Sequence, residues 1–282
     1  MEFGSRSGEQ EYAALVRAAD DLVVGSDFDG TLAPIVDDPE DAHIHPEAGE
    51  VLVALAAQVR AVAVITGRPA RQALDLGGLE EVGHAIGETG RELFVLGQYG
   101  NERWTSTNRR VISPKPPRGL ATFMGEIPRL LRKADAADAW VEEKGLAVAV
   151  HTRRLADPEG AFERLLPLLS EAAKSHDLDV EPGRWVVEVR AHGMNKGAAV
   201  RKLTDELGAR AFVFCGDDLG DVEAFKALED LRGQGFPALL VCSALDGEEN
   251  ELTRMADVVV AGPDGVLDLL RELTADIKHA RA

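Results

Sequence analysis

Apolar and polar positions change period several times along this chain, and the changes outline a fold. Glu9–Ala19 places apolar residues at helical spacing, and Leu22–Ser26 follows as a short, nearly continuous apolar run of strand type. Pro46 opens a predicted helix with Val51, Leu52, Leu55, Ala56 and Val59 on one face. Ala61–Ile65 is a second strand-like run, closed by Thr66-Gly67-Arg68. Strands that are apolar throughout, alternating with helices, belong to a parallel sheet covered on both faces. The same order returns later in the chain. Ala198–Leu207 reads as a helix stopped by Gly208, Ala211–Cys215 as a strand and Val222–Leu228 as a helix. Ala238–Cys242 and Val258–Val260 read as strands, and Val266–Leu273 as a last helix. The expected fold class is α/β, with a doubly wound (Rossmann-like) parallel-sheet core.

The middle of the chain follows another grammar. Ser113-Pro114-Lys115-Pro116-Pro117 is a stiff linker-type segment. Leu120–Arg132 reads as a helix in which Pro128 marks a break or a start. Ala139–Glu142 and Leu146–His151 form a predicted hairpin around Lys144-Gly145. Phe162–Ala173 is helical in pattern despite Pro167, and Trp185–Arg190 alternates like a half-exposed strand. A parallel crossover needs only about a dozen residues, so residues 100–191 read as an inserted α+β cap domain. That leaves 9–99 and 192–282 for the core, with Met1–Gly8 (MEFGSRSG) set aside as a cloning remnant.

Composition narrows the function. Of 282 residues, 45% are hydrophobic and 28% charged, which excludes a wholly disordered chain. With 31 Lys and Arg against 49 Asp and Glu, the net charge is −18. Such a surface repels nucleic acid and anionic membranes, and no basic run opposes it. No apolar stretch is long enough to cross a bilayer, and no signal peptide is recognisable. Cys215 and Cys242 each close an apolar run and read as buried small hydrophobes of a reducing compartment. A cytoplasmic, monomeric protein acting on a small molecule is expected.

Four segments carry chemistry. Asp27-Phe28-Asp29-Gly30-Thr31 lies at the C-terminal end of the first strand, where open α/β sheets bind ligands. Asp and Gly are also ordinary turn residues, but two carboxylates at that place can serve one metal ion and one reacting group. Cys215-Gly216-Asp217-Asp218-Leu219-Gly220-Asp221 crowds three carboxylates after another strand, and a hard cation such as Mg²⁺ would relieve their repulsion. Asp221 is expected to cap the following helix. Ile65-Thr66-Gly67-Arg68 offers a hydroxyl, a glycine amide and a guanidinium that suit phosphate. Asn195-Lys196-Gly197-Ala198 puts a lysine at a helix start, a disfavoured place unless it serves an anion. Each segment alone has an ordinary structural explanation. Together they can bind, neutralise and attack a phosphoryl group.

In this order the four segments resemble the motifs of the haloacid dehalogenase-like phosphatases, and the insert resembles that superfamily's α/β cap. Within the superfamily the chain is most similar to the trehalose-6-phosphate phosphatase family. The residues that carry this are Ile65–Pro69, Tyr99–Glu102, Val141–Gly145, Val150–Arg153, Val187–Arg190 and Gly216–Asp218. Ala191 replaces a customary proline and Gly220 a frequent threonine. The resemblance implies that Asp27 is the nucleophile, Asp29 the acid and base, and Thr66 and Lys196 the phosphate holders. It implies Mg²⁺ on Asp27, Asp29 (through its carbonyl) and Asp217, supported by Asp218 and Asp221. It further implies that Asn101, Glu102, Glu142, Lys144, His151, Arg153, Glu188 and Arg190 read the sugar, alongside Arg68 at the phosphate.

Other readings stay open on the sequence: a phosphatase of sucrose 6-phosphate or mannosyl-3-phosphoglycerate, a phosphomutase, or a signalling receiver phosphorylated on Asp27. The remaining features are bland. His43 and His45 belong to a solvated loop beside Pro46, Trp140 and Trp185 pack the cap, and Asp246–Glu251 is a solvated acidic run or a helix start.

Overall fold

The computed structural model describes residues 6–36, 38–183, 185–244 and 250–282. Most of the acidic run at 246–251 lies outside these residues; its end, Glu251, begins a short helix. The chain divides into two compact units, one from the N-terminal residues to Ser113 with Asn195–Ala282, the other Pro114–Met194.

The first unit is built on strands β1 (Leu22–Ser26), β2 (Ala61–Ile65), β3 (Leu93–Gly97) and β4 (Glu102–Thr105), with three more later in the chain, β9 (Ala211–Gly216), β10 (Ala238–Ala244) and β11 (Val258–Ala261). They lie in the order β11-β10-β9-β1-β2-β3-β4. All neighbours are parallel except β3 and β4. That pair is joined by too short a connection for a crossover, so it must run antiparallel. Every residue of β1, β2, β3, β9 and β10 is buried, which is why these strands read as unbroken apolar runs.

Alternation sends their side chains into two separate cores. Leu22, Val24, Val62, Val64, Val213 and Cys215 meet helices α1 (Arg6–Arg17), α2 (Ala48–Ala56), α3 (Ala70–Gly77), α4 (Leu79–Glu88) and α10 (Gly262–Arg281). Val23, Ala63, Phe212, Phe214 and Cys242 meet α7 (Lys196–Leu207), α8 (Val222–Arg232) and α9 (Glu251–Met255). Cys215 and Cys242 therefore sit on opposite faces of the sheet as free, buried thiols. Burial, aided by Asp221, pushes the Cys215 thiol up to about 12. α1 starts at Arg6, so Arg6–Gly8 are helical although they were set aside with the N-terminal segment. α3, α4, β3 and β4 are elements that the sequence reading did not assign. Among the described residues, no helix is long and apolar enough to cross a membrane.

The second unit holds α5 (Leu120–Lys133), α6 (Pro158–Ser175) and strands β5 (Trp140–Glu143), β6 (Ala147–His151), β7 (Asp179–Gly183) and β8 (Val186–Arg190). The strands form an antiparallel sheet ordered β5-β6-β8-β7. Val148, Val150, Val187 and Val189 pack with Phe123, Ile127, Leu165 and Leu169 of the helices. Neither proline breaks its helix. Pro128 and Pro167 are exposed, so the carbonyl that each leaves without an N–H partner can turn to water.

Three expectations are corrected here. Gly100–Ser113 belongs to the first unit, because β4 extends its sheet. Trp140 is exposed, its ring stacked on His151 at 4.4 Å, while Trp185 meets Phe162 edge-on at 6.1 Å. β8 is buried from Val187 to Arg190 rather than half exposed, because it lies between β6 and β7, a strand that the sequence did not reveal.

His192 follows β8 and lies with Nδ1 2.5 Å from Asp179 and Nε2 3.1 Å from Asp177. An imidazole that donates from both nitrogens is protonated, and these hydrogen bonds, Asp179 first, raise its pKa above 6.5. A raised folded pKa gives stabilisation that is complete below the unfolded value and fades as pH rises through the folded one. An NMR titration of His192 is expected to show a midpoint above the free-histidine value, and Asp179→Asn should bring it down.

Candidate active site

β9, β1 and β2 are adjacent and parallel, so the loops after them leave the same edge of the sheet. From β1 the chain moves to β2 on one side and reaches β9 on the other, which makes the gap between β1 and β9 a topological switch point. Asp27 follows β1 and Asp217 follows β9, and the Asp27 N–H donates to the Cys215 carbonyl at 2.8 Å. Carboxylate oxygens of Asp27, Asp217, Asp218 and Asp221 all lie within 4.8 Å of one another.

Glycines make this convergence possible. A Cβ on Gly30 would stand 2.0 Å from Asp217 Oδ2, and one on Gly216 would stand 2.5 Å from the Asp221 carboxyl. Gly30 also takes φ +69°, a conformation that L side chains resist.

Lys196, at the start of α7, brings its ammonium into the cluster. Its Nζ is 2.7 Å from both Asp27 Oδ2 and Asp221 Oδ1, and the side chain is 3% exposed. Burial alone would lower its pKa, but Asp221, Asp27 and Asp218 together hold it well above the usual value. The charged ammonium is therefore favoured over the neutral amine. Four carboxylates against one ammonium still leave the nest negative. Burial, more than the attraction of Lys196 offsets, pushes Asp27 well above the ordinary carboxylate range. Burial and then Asp27 do the same to Asp217, and burial raises Asp221. Asp217 Oδ1 is buried without a hydrogen-bond partner. An all-oxygen donor set with surplus negative charge and an orphaned carboxylate oxygen fits a hard divalent cation.

The expected helix-capping role of Asp221 is not what the structure shows. Its side chain makes no capping bond to α8; it accepts from the Asp217 N–H at 3.0 Å and holds Lys196. Asp218 caps the short 3-10 turn Leu219–Asp221 before α8, accepting from the Gly220 N–H at 2.8 Å, with Asp221 accepting from the Asp218 N–H in return. The usable signal was the burial implied by a strand end only five residues away.

The Asp29 side chain stands outside the acidic cluster, as expected of a residue whose metal contact would be made by its backbone carbonyl. Arg68 takes both of its oxygens, Nε to Oδ2 at 2.7 Å and Nη2 to Oδ1 at 2.6 Å. Two of the guanidinium's donors are thus held by a carboxylate. Thr66 is buried and its Oγ1 accepts from the Arg68 N–H at 3.1 Å. The Thr31 hydroxyl is buried without a partner.

In the second unit, alternation along the strands puts Glu142, His151, Glu188 and Arg190 on the sheet face opposite the apolar core. Glu188 receives Lys144 at 2.6 Å and Arg190 at 3.2 Å, and Arg190 also reaches Glu181 at 2.9 Å. His151 Nε2 lies 2.9 Å from Glu142. Arg153 is exposed beyond the end of β6. Asn101 and Glu102 are not here: Glu102 begins β4 and Asn101 immediately precedes it, in the first unit. His43 is exposed, and His45 pairs with Asp264 at 3.1 Å.

The family model for trehalose-phosphatase matches residues 26–261. The chain belongs to the trehalose-phosphatase family. Trehalose-phosphate phosphatase B of Arabidopsis thaliana is 31% identical over 232 residues, covering 78% of this chain and 59% of its own length. An uncharacterized glycosyl hydrolase of Mycobacterium tuberculosis is 35% identical over 90% of this chain, which spans only 18% of that protein. The C-terminal domain of a Candida albicans trehalose-6-phosphate phosphatase shares the fold, with a TM-score of 0.75 at 18% identity over 97% of this chain and 98% of the other.

Asp27, Asp217 and Asp221 have folded pKa values above their unfolded ones. Their contribution to stability is complete at low pH and is lost as pH rises through the folded values. The melting temperature of ion-free protein is expected to decline from about pH 4 upward for this reason, and a saturating divalent cation should flatten the decline. Gly30→Ala should weaken cation binding and cost about 1–3 kcal/mol of stability, measured by denaturant unfolding.

Proposed function

We propose that this protein is a Mg²⁺-dependent phosphatase that hydrolyses trehalose 6-phosphate to trehalose and phosphate through an aspartyl phosphate on Asp27. The observation that carries the reading is the buried Asp27 carboxylate held by Lys196 Nζ at 2.7 Å beside three further carboxylates. Membership of the trehalose-phosphatase family and the names of the plant relatives favour the disaccharide as substrate.

The chain's own residues divide the work. Lys196 fixes one Asp27 oxygen and neutralises charge on the incoming phosphate, while Thr66 offers its hydroxyl to a phosphate oxygen. The other Asp27 oxygen attacks phosphorus, and the bond from phosphorus to the sugar oxygen breaks. Asp29, released from one of its Arg68 contacts and protonated, gives its proton to the departing alkoxide. Asp29 then takes a proton from water as the water oxygen attacks phosphorus and the bond to Asp27 breaks, freeing phosphate. Mg²⁺, held by Asp27 and Asp217 with the Asp29 carbonyl and support from Asp218 and Asp221, would supply the positive charge that lets an anion approach this acidic nest. In the second unit, Glu142, Lys144, His151, Arg153, Glu188 and Arg190 would recognise sugar hydroxyls, each carboxylate accepting from neighbouring hydroxyls.

The test is phosphate release from a panel of sugar phosphates, with and without Mg²⁺. Trehalose 6-phosphate should exceed sucrose 6-phosphate, mannosyl-3-phosphoglycerate and glucose 6-phosphate, and chelation should stop release. Asp27→Asn should abolish turnover. Appreciable turnover by that variant rules out the covalent route, and a preference for another sugar rules out the disaccharide.

A further inference from the structure

Residues 98–102 follow β3 in an unusual backbone. Gln98, Tyr99 and Gly100 are consecutively left-handed, with φ of 48°, 58° and 91°. Two adjacent non-glycine residues in that region persist only where the surroundings demand it. The demand comes from the loop that carries Thr66 and Arg68. Tyr99 N–H donates to the Thr66 carbonyl at 2.9 Å, and Gln98 N–H donates to the Arg68 carbonyl at 2.8 Å. Glu102 Oε2 accepts from the Ala70 N–H at 2.7 Å. Residues 66, 68 and 70 are thus each tied to this one segment. Gly67 between them packs under the same segment: a Cβ there would lie 2.8 Å from the Tyr99 hydroxyl.

The same segment also touches the helix that bears Lys196. A Cβ on Gly100 would stand 2.5 Å from Ala199 Cβ, three residues along α7 from the ammonium. Asn101 Nδ2 closes the turn on the Gln98 carbonyl at 2.9 Å, and Ser113 Oγ donates to Glu102 Oε1 at 3.3 Å. Both Glu102 oxygens are therefore occupied inside the protein. The Ala70 N–H, at the first residue of α3, has no acceptor within its own helix, and a carboxylate there also suits the helix dipole.

We propose that Glu102 is a positioning residue for the phosphate-binding loop rather than a sugar reader: by accepting from Ala70 N–H it locks residues 66–70, and with them the Thr66 hydroxyl and the Arg68 clamp on Asp29. The catalytic part of this inference rests on the phosphatase reading; the locking does not. The loop is needed for any phosphate ester, so its loss must act on sugar and non-sugar substrates alike. A sugar reader would act on the sugar ester alone.

The experiment compares Glu102→Ala, Glu102→Asp and Glu102→Gln in the full chain. With trehalose 6-phosphate and 4-nitrophenyl phosphate, Ala and Asp should lower kcat by a similar factor for both substrates, about a hundredfold for a displaced loop. Gln keeps an acceptor oxygen at the same reach and should retain most of the activity, whereas Asp keeps the charge but is one methylene short. Amide hydrogen exchange of residues 66–70, read without substrate, should accelerate in Ala and Asp and not in Gln. A loss confined to the sugar phosphate, or unchanged exchange in all three variants, overturns the proposal. Protected exchange in a protein that hydrolyses neither substrate would instead refute the phosphatase reading and leave the locking role standing.

Discussion

The ion contact between Lys196 and the pair Asp27 and Asp221 is the point on which this structure turns. Burying carboxylates beside one another is costly unless charge is compensated. With its stem buried and its ammonium 2.7 Å from both partners, Lys196 is the compensation that this chain itself supplies. It also explains the position of Asp221, which is fully buried and serves as the far anchor of that ammonium. One lysine is too little for four acids, and the shortfall makes the nest suited to a hard cation.

The sheet makes that contact geometrically possible. Parallel strands deliver every following loop to one edge, and the strand order places β1 between β9 and β2. Asp27, Asp217 and Thr66, remote in the chain, become neighbours through this order. The apolar helices on both faces brace these strand ends, and α7 also carries Lys196 into the nest. On a molecule with a net charge of −18, any anion drawn to this nest must be attracted locally, by the buried ammonium and by a cation on the acids.

Much of the core was legible. β1, β2, β9 and β10 stood out as continuous apolar runs because both of their faces are covered. The acids that follow them were recognisable as a site from strand-end position. The second unit was harder. β7 contains Pro182 and Gly183 and is mostly exposed, so its sequence lacks the apolar signal that burial writes into a strand. β4 is short and charged at its start, and it drew Asn101 and Glu102 toward the insert although the sheet claims them for the core. Trp140 illustrates the reverse error: a large aromatic suggests a core, but an edge strand beside His151 gives it a stacking partner at the surface.

What the sequence determined by itself was the kind of fold and the inventory of reactive groups, because periodicity and strand-end acids are local properties of a chain. Which group holds which was decided only by tertiary structure. Arg68 could have faced solvent, a phosphate or any acid, and the fold gave it both oxygens of Asp29. Glu102 could have read a sugar, and the fold set it against the Ala70 amide. Such pairings depend on strand order and on backbone turns of a few residues, and hydrogen bonds of a few ångströms have no counterpart in the spacing of residues along the sequence.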